Sequence, residues 1–206
     1  MDETEHLDVL VVGAGISGVG AAYHLTQQCP ERTFAVLEVK DTFGGTWHTH
    51  TYPGIRSDSD LYTFGYRFKP WTGKPVATAD EILTYMGEVI DEHDLARPIR
   101  YRHRIDSADW SEADKRWTVR GIRLDTDEPF AVTPTFLWIC QGYYNHQKPY
   151  TPTWPGFPDY RGEVIHPQLW PDDADLTDKK VVVIGSGATA ATLIPNIAKD
   201  CAHVTM

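Results

Sequence analysis

The 206-residue sequence lacks long apolar runs. No stretch approaches the ~18 consecutive apolar residues of a membrane-spanning helix, so we expect no stable insertion into a membrane. The first six residues are acidic and do not open a signal-peptide pattern. These absences favour a soluble protein of the cytoplasm.

Cysteine and positive charge are also scarce. The three cysteines, Cys29, Cys140 and Cys201, lack the spacing of a metal or redox motif, so we expect free thiols and a reducing compartment. His48 and His50 alternate, but two ligands do not make a metal site, and none is predicted. Lysines and arginines number 19 against 29 acidic residues, a formal net charge of -10. This balance argues against nucleic acid as a partner.

Two glycine-rich motifs are the most informative feature that the sequence does contain. Each follows a short run of mostly β-branched residues and opens a helix, and the first helix is predicted over residues 16–28. In such turns the glycines allow a tight bend, close approach of backbone N–H groups to a pyrophosphate, and helix–strand packing. We therefore predict two nucleotide sites. Their residues are Gly13, Gly15, Ser17 and Gly18 in the first motif, and Gly185, Ser186, Gly187, Ala188, Thr189 and Ala190 in the second.

A carboxylate indicates which nucleotide the first motif holds. Residues 33–37 form a second apolar strand that leads into Glu38, about 20 residues beyond the motif, where a carboxylate accepts both ribose hydroxyls and repels a 2′-phosphate. The first site is therefore predicted to hold FAD or NAD rather than NADP. The second motif is not typed in this way, because its next strand, residues 202–206, coincides with the last residues of the sequence.

The remaining pattern predicts an α/β fold. Residues 79–95 have helical spacing, with Thr78 or Asp80 as the cap. Strands are predicted over residues 100–110, 116–122, 130–140 and 181–184. The apolar run at 136–139 is typical of a central strand that returns to the nucleotide-binding sheet.

Two further motifs carry a resemblance to a known family. Residues 44–47, Gly-Gly-Thr-Trp, and residues 52–60, Tyr-Pro-Gly-Ile-Arg-Ser-Asp-Ser-Asp, resemble the flavin-contacting loop of class B flavoprotein monooxygenases. Residues 160–171 resemble their signature, with Gly162, His166 and Trp170 at the expected spacing and Tyr160 in place of a phenylalanine. The Trp-Pro ending is typical of Baeyer–Villiger monooxygenases, most of all the ethionamide-activating type, and the match covers essentially the whole chain.

The resemblance implies a fold, a reaction and two cofactors. It implies a flavoprotein with two Rossmann-like dinucleotide-binding domains, each a parallel sheet with helices, the second truncated. Residues 1–140 would be the FAD-binding domain, 141–178 the connection and 179–206 the start of the NADPH-binding domain. Such enzymes insert one oxygen atom of O2 into ketones, or add it to the sulfur or nitrogen of sulfides and amines, through a C4a-peroxyflavin.

The resemblance also implies roles for single residues. Asp58 would be the active-site carboxylate beside the flavin, and His166 would act at a domain hinge. Glu38 would hold the adenosine ribose, Thr46 and Trp47 would line the flavin, and Ile105 would meet the adenine through its backbone. Asp58 as a loop-capping carboxylate remains open as an alternative.

Family members are considerably longer than this sequence. The position of their catalytic arginine and most of the NADPH-binding domain have no counterpart here. We therefore expect a fragment that needs a missing C-terminal half or a partner chain, and no oxygenating activity from the 206 residues alone. The alternative is a non-catalytic remnant that binds nucleotides weakly or not at all.

Overall fold

The computed structural model describes residues 4–206. The expectation that the sequence opens without a signal peptide falls in part on residues 1–3, which lie outside this range. Among the described residues, no helix has the length and apolar character needed to cross a membrane.

The described chain contains five helices of four or more residues and eight strands. The helices are α1 Ile16–Gln28, α2 Thr46–Thr49, α3 Leu61–Phe64, α4 Ala79–Glu92 and α5 Ala188–Ile197. The strands are β1 Glu5–Val12, β2 Phe34–Leu37, β3 Ile99–Arg100, β4 His103–Ser111, β5 Arg116–Arg123, β6 Pro129–Ile139, β7 Lys180–Val182 and β8 His203–Thr205.

The chain divides into two compact units. The first contains the chain up to Gly45 together with Thr84–Tyr143, and the second contains Thr46–Leu83 and Tyr144–Met206. This division describes packing. The predicted domain boundaries after residues 140 and 178 stay a prediction.

The first unit is built on a six-stranded sheet in the order β3-β2-β1-β6-β5-β4. Strand β1 pairs in parallel with β2 and β6, and the β4–β5–β6 meander is antiparallel. The apolar run of β1 is buried because it lies inside the sheet, where Leu10 and Val11 are inaccessible to solvent. Helix α1 connects β1 to β2 in a βαβ unit and has the predicted bounds. The predicted α/β class is thus confirmed.

Several element boundaries differ from the prediction. The strand predicted over residues 100–110 is broken into β3 and β4, because Arg102 adopts a positive φ of 59° and its N–H donates to the Lys40 carbonyl. Helix α4 ends at Glu92 rather than at residue 95. It begins with a capping box in which Thr78 Oγ1 accepts from the Glu81 N–H at 3.3 Å and Glu81 Oε2 accepts from the Thr78 N–H at 2.8 Å.

The apolar end of β6 is only partly covered. In strand order β6 is interior, as predicted, and residues 136–139 are in register with residues 9–12 of β1. The register with β5, however, covers only residues 129–132. Phe136 is 57% exposed and Ile139 54% exposed.

The second unit contains the parallel pair β7–β8 connected by α5. Strand β7 covers residues 180–182 rather than the predicted 181–184, in register with residues 203–205 of β8. The core of this unit is a cluster around Tyr52, Leu193 and Ile197, against which Trp170 and Val181 pack. A segment predicted only as a loop therefore contributes a core residue.

Candidate nucleotide-binding site

The first glycine-rich turn is fixed by close backbone contacts. Gly13 has φ +97°, and a Cβ there would lie 2.9 Å from the Cys140 carbonyl oxygen at the end of β6. A Cβ on Gly18 would overlap the carbonyl oxygen of Gly13. The first and third glycines of the motif are thus required by the turn itself, as the motif predicts.

The second glycine, Gly15, lies where no side chain intrudes. It is the N-cap of α1, and no side chain caps this helix end. Gly44 and Gly45 pack directly against the turn, since the Gly44 N–H donates to the Ala14 carbonyl at 3.0 Å and a Cβ on Gly45 would lie 3.1 Å from the Gly15 Cα. An uncapped helix start lined by glycine backbone fits the diphosphate of a dinucleotide. Ser17 lies in the first turn of the same helix.

Glu38 lies beside this turn and is only 7% exposed. Its Oε2 accepts a hydrogen bond from the Ala14 N–H at 2.7 Å, and its Oε1 accepts from the Lys40 N–H at 2.9 Å. Each carboxylate oxygen has a second lone pair, so both retain capacity for a further donor. Burial raises the pKa of the nearby Tyr101 phenol, and the charge of Glu38 adds to that rise. A buried carboxylate at the turn fits a role as acceptor for ribose hydroxyls.

Ile105 lies on β4, which starts where the His103 N–H donates to the Glu38 carbonyl at 2.8 Å. It pairs with Gly121, and the strand register shifts between Ile105 and Ser107. Its side chain packs against the core of the first unit. The bulge leaves this stretch of backbone less regular than the rest of the meander.

Thr46 and Trp47 begin the short helix α2 in the second unit and are partly exposed. The Trp47 ring contacts Phe64 edge-on at a centroid distance of 6.0 Å. Their neighbour His50 is buried and its Nδ1 donates to the Thr46 carbonyl at 3.0 Å. Among residues 4–206 there is no group of three or more candidate ligands for a metal ion.

Asp58 is exposed on a loop whose neighbouring residue, Ser57, is fixed by hydrogen bonds to Ala77. The Ser57 N–H donates to the Ala77 carbonyl at 2.8 Å, and Ser57 Oγ accepts from the Ala77 N–H at 3.1 Å. The capping carboxylate of this loop is Asp60, which accepts from the Thr63 N–H at 2.9 Å and starts α3. Asp58 itself accepts from Ser59 Oγ at 3.3 Å. The capping role considered for Asp58 therefore belongs to Asp60.

The second glycine-rich turn is open by comparison. Gly185 has φ +133°, Gly187 is the N-cap of α5, and a Cβ at either position would meet no atom within 4 Å. Ala190, in the third position, is buried. Ser186 and Ala188 are exposed. Like α1, this helix starts at a glycine without a side-chain cap, which suits the approach of a phosphate.

His166 caps a short 3₁₀ turn. Its Nδ1 accepts from the Gln168 N–H at 3.1 Å, and the buried Gln168 amide donates to the Asn145 carbonyl at 2.6 Å. The turn leads into Trp170, which packs against the core of the second unit. The fixed spacing of His and Trp in the motif thus corresponds to a capped turn followed by an anchoring side chain.

Sequence reasoning missed the part that Tyr52 plays. Its side chain is buried in the core of the second unit and its hydroxyl shares a hydrogen bond with the Thr189 side chain. The Tyr-Pro-Gly motif was the only local signal, and it does not indicate a contact more than a hundred residues away.

Comparison with known families assigns the chain. The NAD(P)-binding Rossmann-like domain matches residues 11–71, and the flavin-binding monooxygenase-like family matches residues 75–206. The chain belongs to the flavin-binding monooxygenase-like family. The predicted resemblance and the Rossmann-like fold class are thereby confirmed.

Curated relatives match nearly the whole chain. It is 49% identical over 205 residues to the FAD-containing monooxygenase EthA of Mycolicibacterium smegmatis, covering 98% of this chain and 41% of the relative. It is 51% identical to EthA of Mycobacterium tuberculosis, over 98% of this chain and 42% of the relative. It is 48% identical to a probable FAD-binding monooxygenase AlmA of an Acinetobacter species, over 98% of this chain and 41% of the relative. The chain thus spans about two fifths of the length of these relatives.

Solved structures of family members share the fold. An oxidised steroid monooxygenase bound to NADP is 34% identical with a TM-score of 0.79, covering 97% of this chain and 38% of that chain. A cyclohexanone-bound cyclohexanone monooxygenase is 28% identical with a TM-score of 0.81, covering 98% of this chain and 38% of that chain. OTEMO in complex with FAD and NADP is 30% identical with a TM-score of 0.79, covering 98% of this chain and 39% of that chain.

Proposed function

We propose that this chain carries the FAD-binding fingerprint, the flavin loop and the start of the NADPH-binding region of a Baeyer–Villiger-type monooxygenase. The observation that carries the proposal is the buried Glu38 carboxylate, hydrogen-bonded to the glycine-rich turn at Ala14. The substrates would be ketones, or sulfides and amines, together with O2. Solved relatives described as bound to NADP, FAD or cyclohexanone support this assignment.

Specific residues would hold each cofactor. Gly13, Gly15, Ser17 and Gly18 would receive the FAD diphosphate and Glu38 its ribose. Thr46, Trp47, Asp58 and the Ile105 backbone would contact the rest of FAD. The second glycine-rich turn, Gly185 to Ala190, would receive NADPH. Bound FAD supplies the redox chemistry with O2.

The chain's own groups would bind and orient rather than react. The start of α1 and the start of α5 would place the two diphosphates through backbone N–H groups. Asp58 would present a charged oxygen from a loop that Ser57 and Ala77 hold in place. His166 would fix the turn that leads into Trp170 and act as a hinge. The remaining donors would come from a C-terminal half or a partner chain, and the cytoplasmic location stays a prediction.

Nucleotide titration tests the proposal against the alternative of a non-binding remnant. The purified chain is titrated with FAD, followed by flavin fluorescence, and separately with NADP⁺ by calorimetry. Binding of one FAD per chain, weakened in Glu38→Gln, is the expected result. No FAD binding by a chain whose circular dichroism shows it to be folded would favour the remnant.

Product analysis tests the reaction class. The chain is incubated with FAD, NADPH, O2 and a panel of ketones and sulfides, and products are read by mass spectrometry. We expect none from the 206 residues alone, because the donors that would act on the reacting atoms are not all present. Oxygenated product above a Glu38→Ala, Asp58→Ala control would contradict the dependence on further residues.

A further inference from the structure

The flavin loop, residues 52–60, packs against α5, the helix that follows the second glycine-rich motif. Tyr52, from the Tyr-Pro-Gly segment, is 6% exposed and packs against Leu193 and Ile197 of α5. Two apolar residues one turn apart on α5 therefore pack in one buried cluster with the Tyr52 ring.

A hydrogen bond extends this contact to the glycine-rich turn. The Tyr52 hydroxyl shares a hydrogen bond with the side chain of Thr189, the second residue of α5. Thr189 lies in the helical turn whose backbone N–H groups would face a bound diphosphate. A single phenol thus connects the loop to the place where the second nucleotide would bind.

A second contact fixes the loop's position along α5. A Cβ on Gly54 would overlap the side-chain amide of Asn196. That amide is itself held, since Asn196 Nδ2 donates to the Thr192 carbonyl at 2.7 Å. Tyr52 and Gly54 therefore hold the loop at two points on the helix, Thr189 and Asn196, which lie about two turns apart.

The other end of the loop carries Asp58. Burial raises the pKa of the Tyr52 phenol, the hydrogen bond with Thr189 opposes this rise, and the charge of Asp58 adds to it. The phenol is therefore protonated at neutral pH, and Asp58 is close enough for its charge to act on it. Between them, Ile55 packs into the same cluster as Tyr52.

We propose that Tyr52 is a positioning residue that couples nucleotide occupancy at the second glycine-rich turn to the loop that presents Asp58 to the flavin. This inference rests on the proposed function, because it takes FAD and NADP as the two ligands. A nucleotide that orders the first turn of α5 would fix Thr189, and through Tyr52 the loop. By thermodynamic linkage, FAD would then strengthen NADP⁺ binding by the same factor as NADP⁺ strengthens FAD binding.

The test measures the factor by which FAD strengthens NADP⁺ binding, using the full 206-residue chain. The dissociation constant of NADP⁺ is determined by calorimetry with and without saturating FAD, and the ratio of the two values gives the coupling. We expect a ratio of about fivefold or more for the unaltered chain. In Tyr52→Phe, which keeps the ring and removes the hydroxyl, we expect the ratio to fall to within about twofold of one.

Three further variants make the result specific. Tyr62→Phe is the matched control, because Tyr62 lies on the same segment, is 59% exposed and donates its hydroxyl to the Gly73 carbonyl rather than to α5. It should keep the full ratio. Thr189→Val should lower the ratio as Tyr52→Phe does, and the double variant should lower it no further, since both remove the same hydrogen bond. The flavin absorbance change on adding NADP⁺ should diminish in parallel.

Several outcomes would overturn the inference. A ratio of one in the unaltered chain removes the coupling, and an unchanged ratio in Tyr52→Phe removes Tyr52 from it. Weaker binding of both nucleotides at an unchanged ratio would assign Tyr52 a structural role only. If both nucleotides bind and one of these three results is found, the proposed function stands while the inference fails. If neither nucleotide binds, both fail.

Discussion

The buried carboxylate of Glu38 accepts a 2.7 Å hydrogen bond from the backbone N–H of Ala14. This contact joins the residue after β2 to the turn after β1, so the group proposed to hold the ribose also shapes the first glycine-rich turn. Its other oxygen accepts from the Lys40 N–H. Any test of Glu38 must therefore separate folding from nucleotide binding.

Two substitutions of Glu38 make that separation. Glu38→Ala leaves the N–H groups of Ala14 and Lys40 without their acceptor, and we expect a loss of about 1–3 kcal/mol in the free energy of unfolding. Glu38→Gln keeps one acceptor oxygen but loses the charge, so we expect a smaller loss of stability and FAD binding weakened by about 1–3 kcal/mol. Urea unfolding and FAD titration measure the two effects. Undiminished FAD affinity in Glu38→Gln would remove Glu38 from the ribose site.

Alanine substitutions should destabilise the two glycine-rich turns to different extents. Gly18→Ala places a Cβ on the Gly13 carbonyl, so we expect a loss of about 2 kcal/mol or more in the free energy of unfolding. Gly187 has an ordinary φ of -80° and open space around it, so Gly187→Ala should cost about 1 kcal/mol or less.

Gly187→Ala should nevertheless weaken NADP⁺ binding, because a methyl group would occupy the approach of the phosphates. Thermal unfolding and NADP⁺ titration of both variants check this pattern. Equal losses of stability at the two positions would show that the second turn is as closely packed as the first.

The His166 side chain should be replaceable by a residue that caps the same turn. His166→Ala removes the acceptor for the Gln168 N–H, and we expect a loss of about 0.5–1 kcal/mol in the free energy of unfolding, the lower range for a cap. His166→Asn should recover most of it. FAD affinity should stay within about twofold in both variants, since a cap contributes to the turn rather than to the FAD site. Complete loss of FAD on His166→Ala would instead place His166 in the structure of the FAD site.

The Glu5–Arg100 pair predicts a pH dependence. Arg100 donates to both Glu5 oxygens at 2.5 and 2.6 Å, and this hydrogen bonding, partly opposed by burial, lowers the pKa of Glu5. A carboxylate whose pKa is lowered on folding stabilises the folded state above its unfolded pKa, and this contribution is lost as the pH falls through the folded value.

Glu5→Gln should therefore cost about 0.5 kcal/mol at pH 7, a value reduced by solvent screening of a pair that is more than one third exposed. The difference from the unaltered chain should stay constant down to about pH 5.5 and shrink below the ordinary glutamate range. Urea unfolding at several pH values measures it. Glu31→Gln is the control, because its pair with Arg32 is largely exposed and should contribute nothing measurable. A difference that grows as the pH falls would contradict the assigned sign.

Much of the first nucleotide motif could be predicted from the sequence. The apolar run before Gly13, the helix over residues 16–28 and the position of Glu38 all follow from short-range patterns. Strand length, helix periodicity and the conformational freedom of glycine act within a few residues, so each can be recognised locally. Thr78 or Asp80 was predicted as the cap of α4, and the structure assigns this role to Thr78 through a capping box that spans only four residues.

Other features were decided only by tertiary structure. The interruption of the predicted strand at Arg102 depends on the carbonyl of Lys40, on a different part of the chain. The sequence left Asp58 open as a loop-capping carboxylate and did not point to Asp60, which in the fold accepts from the Thr63 N–H and starts α3.

The contact between Tyr52 and Thr189 shows the same limit most clearly. Each residue belongs to a motif that can be recognised from the local sequence. Neither motif, however, indicates that the two residues are in contact. The sequence determined that there are two glycine-rich turns, each opening a helix, and which residues form them. Tertiary packing decided that α5 and the loop of Tyr52, more than a hundred residues earlier in the sequence, share one core. Burial of apolar side chains is non-directional and depends on proximity in three dimensions rather than on sequence spacing.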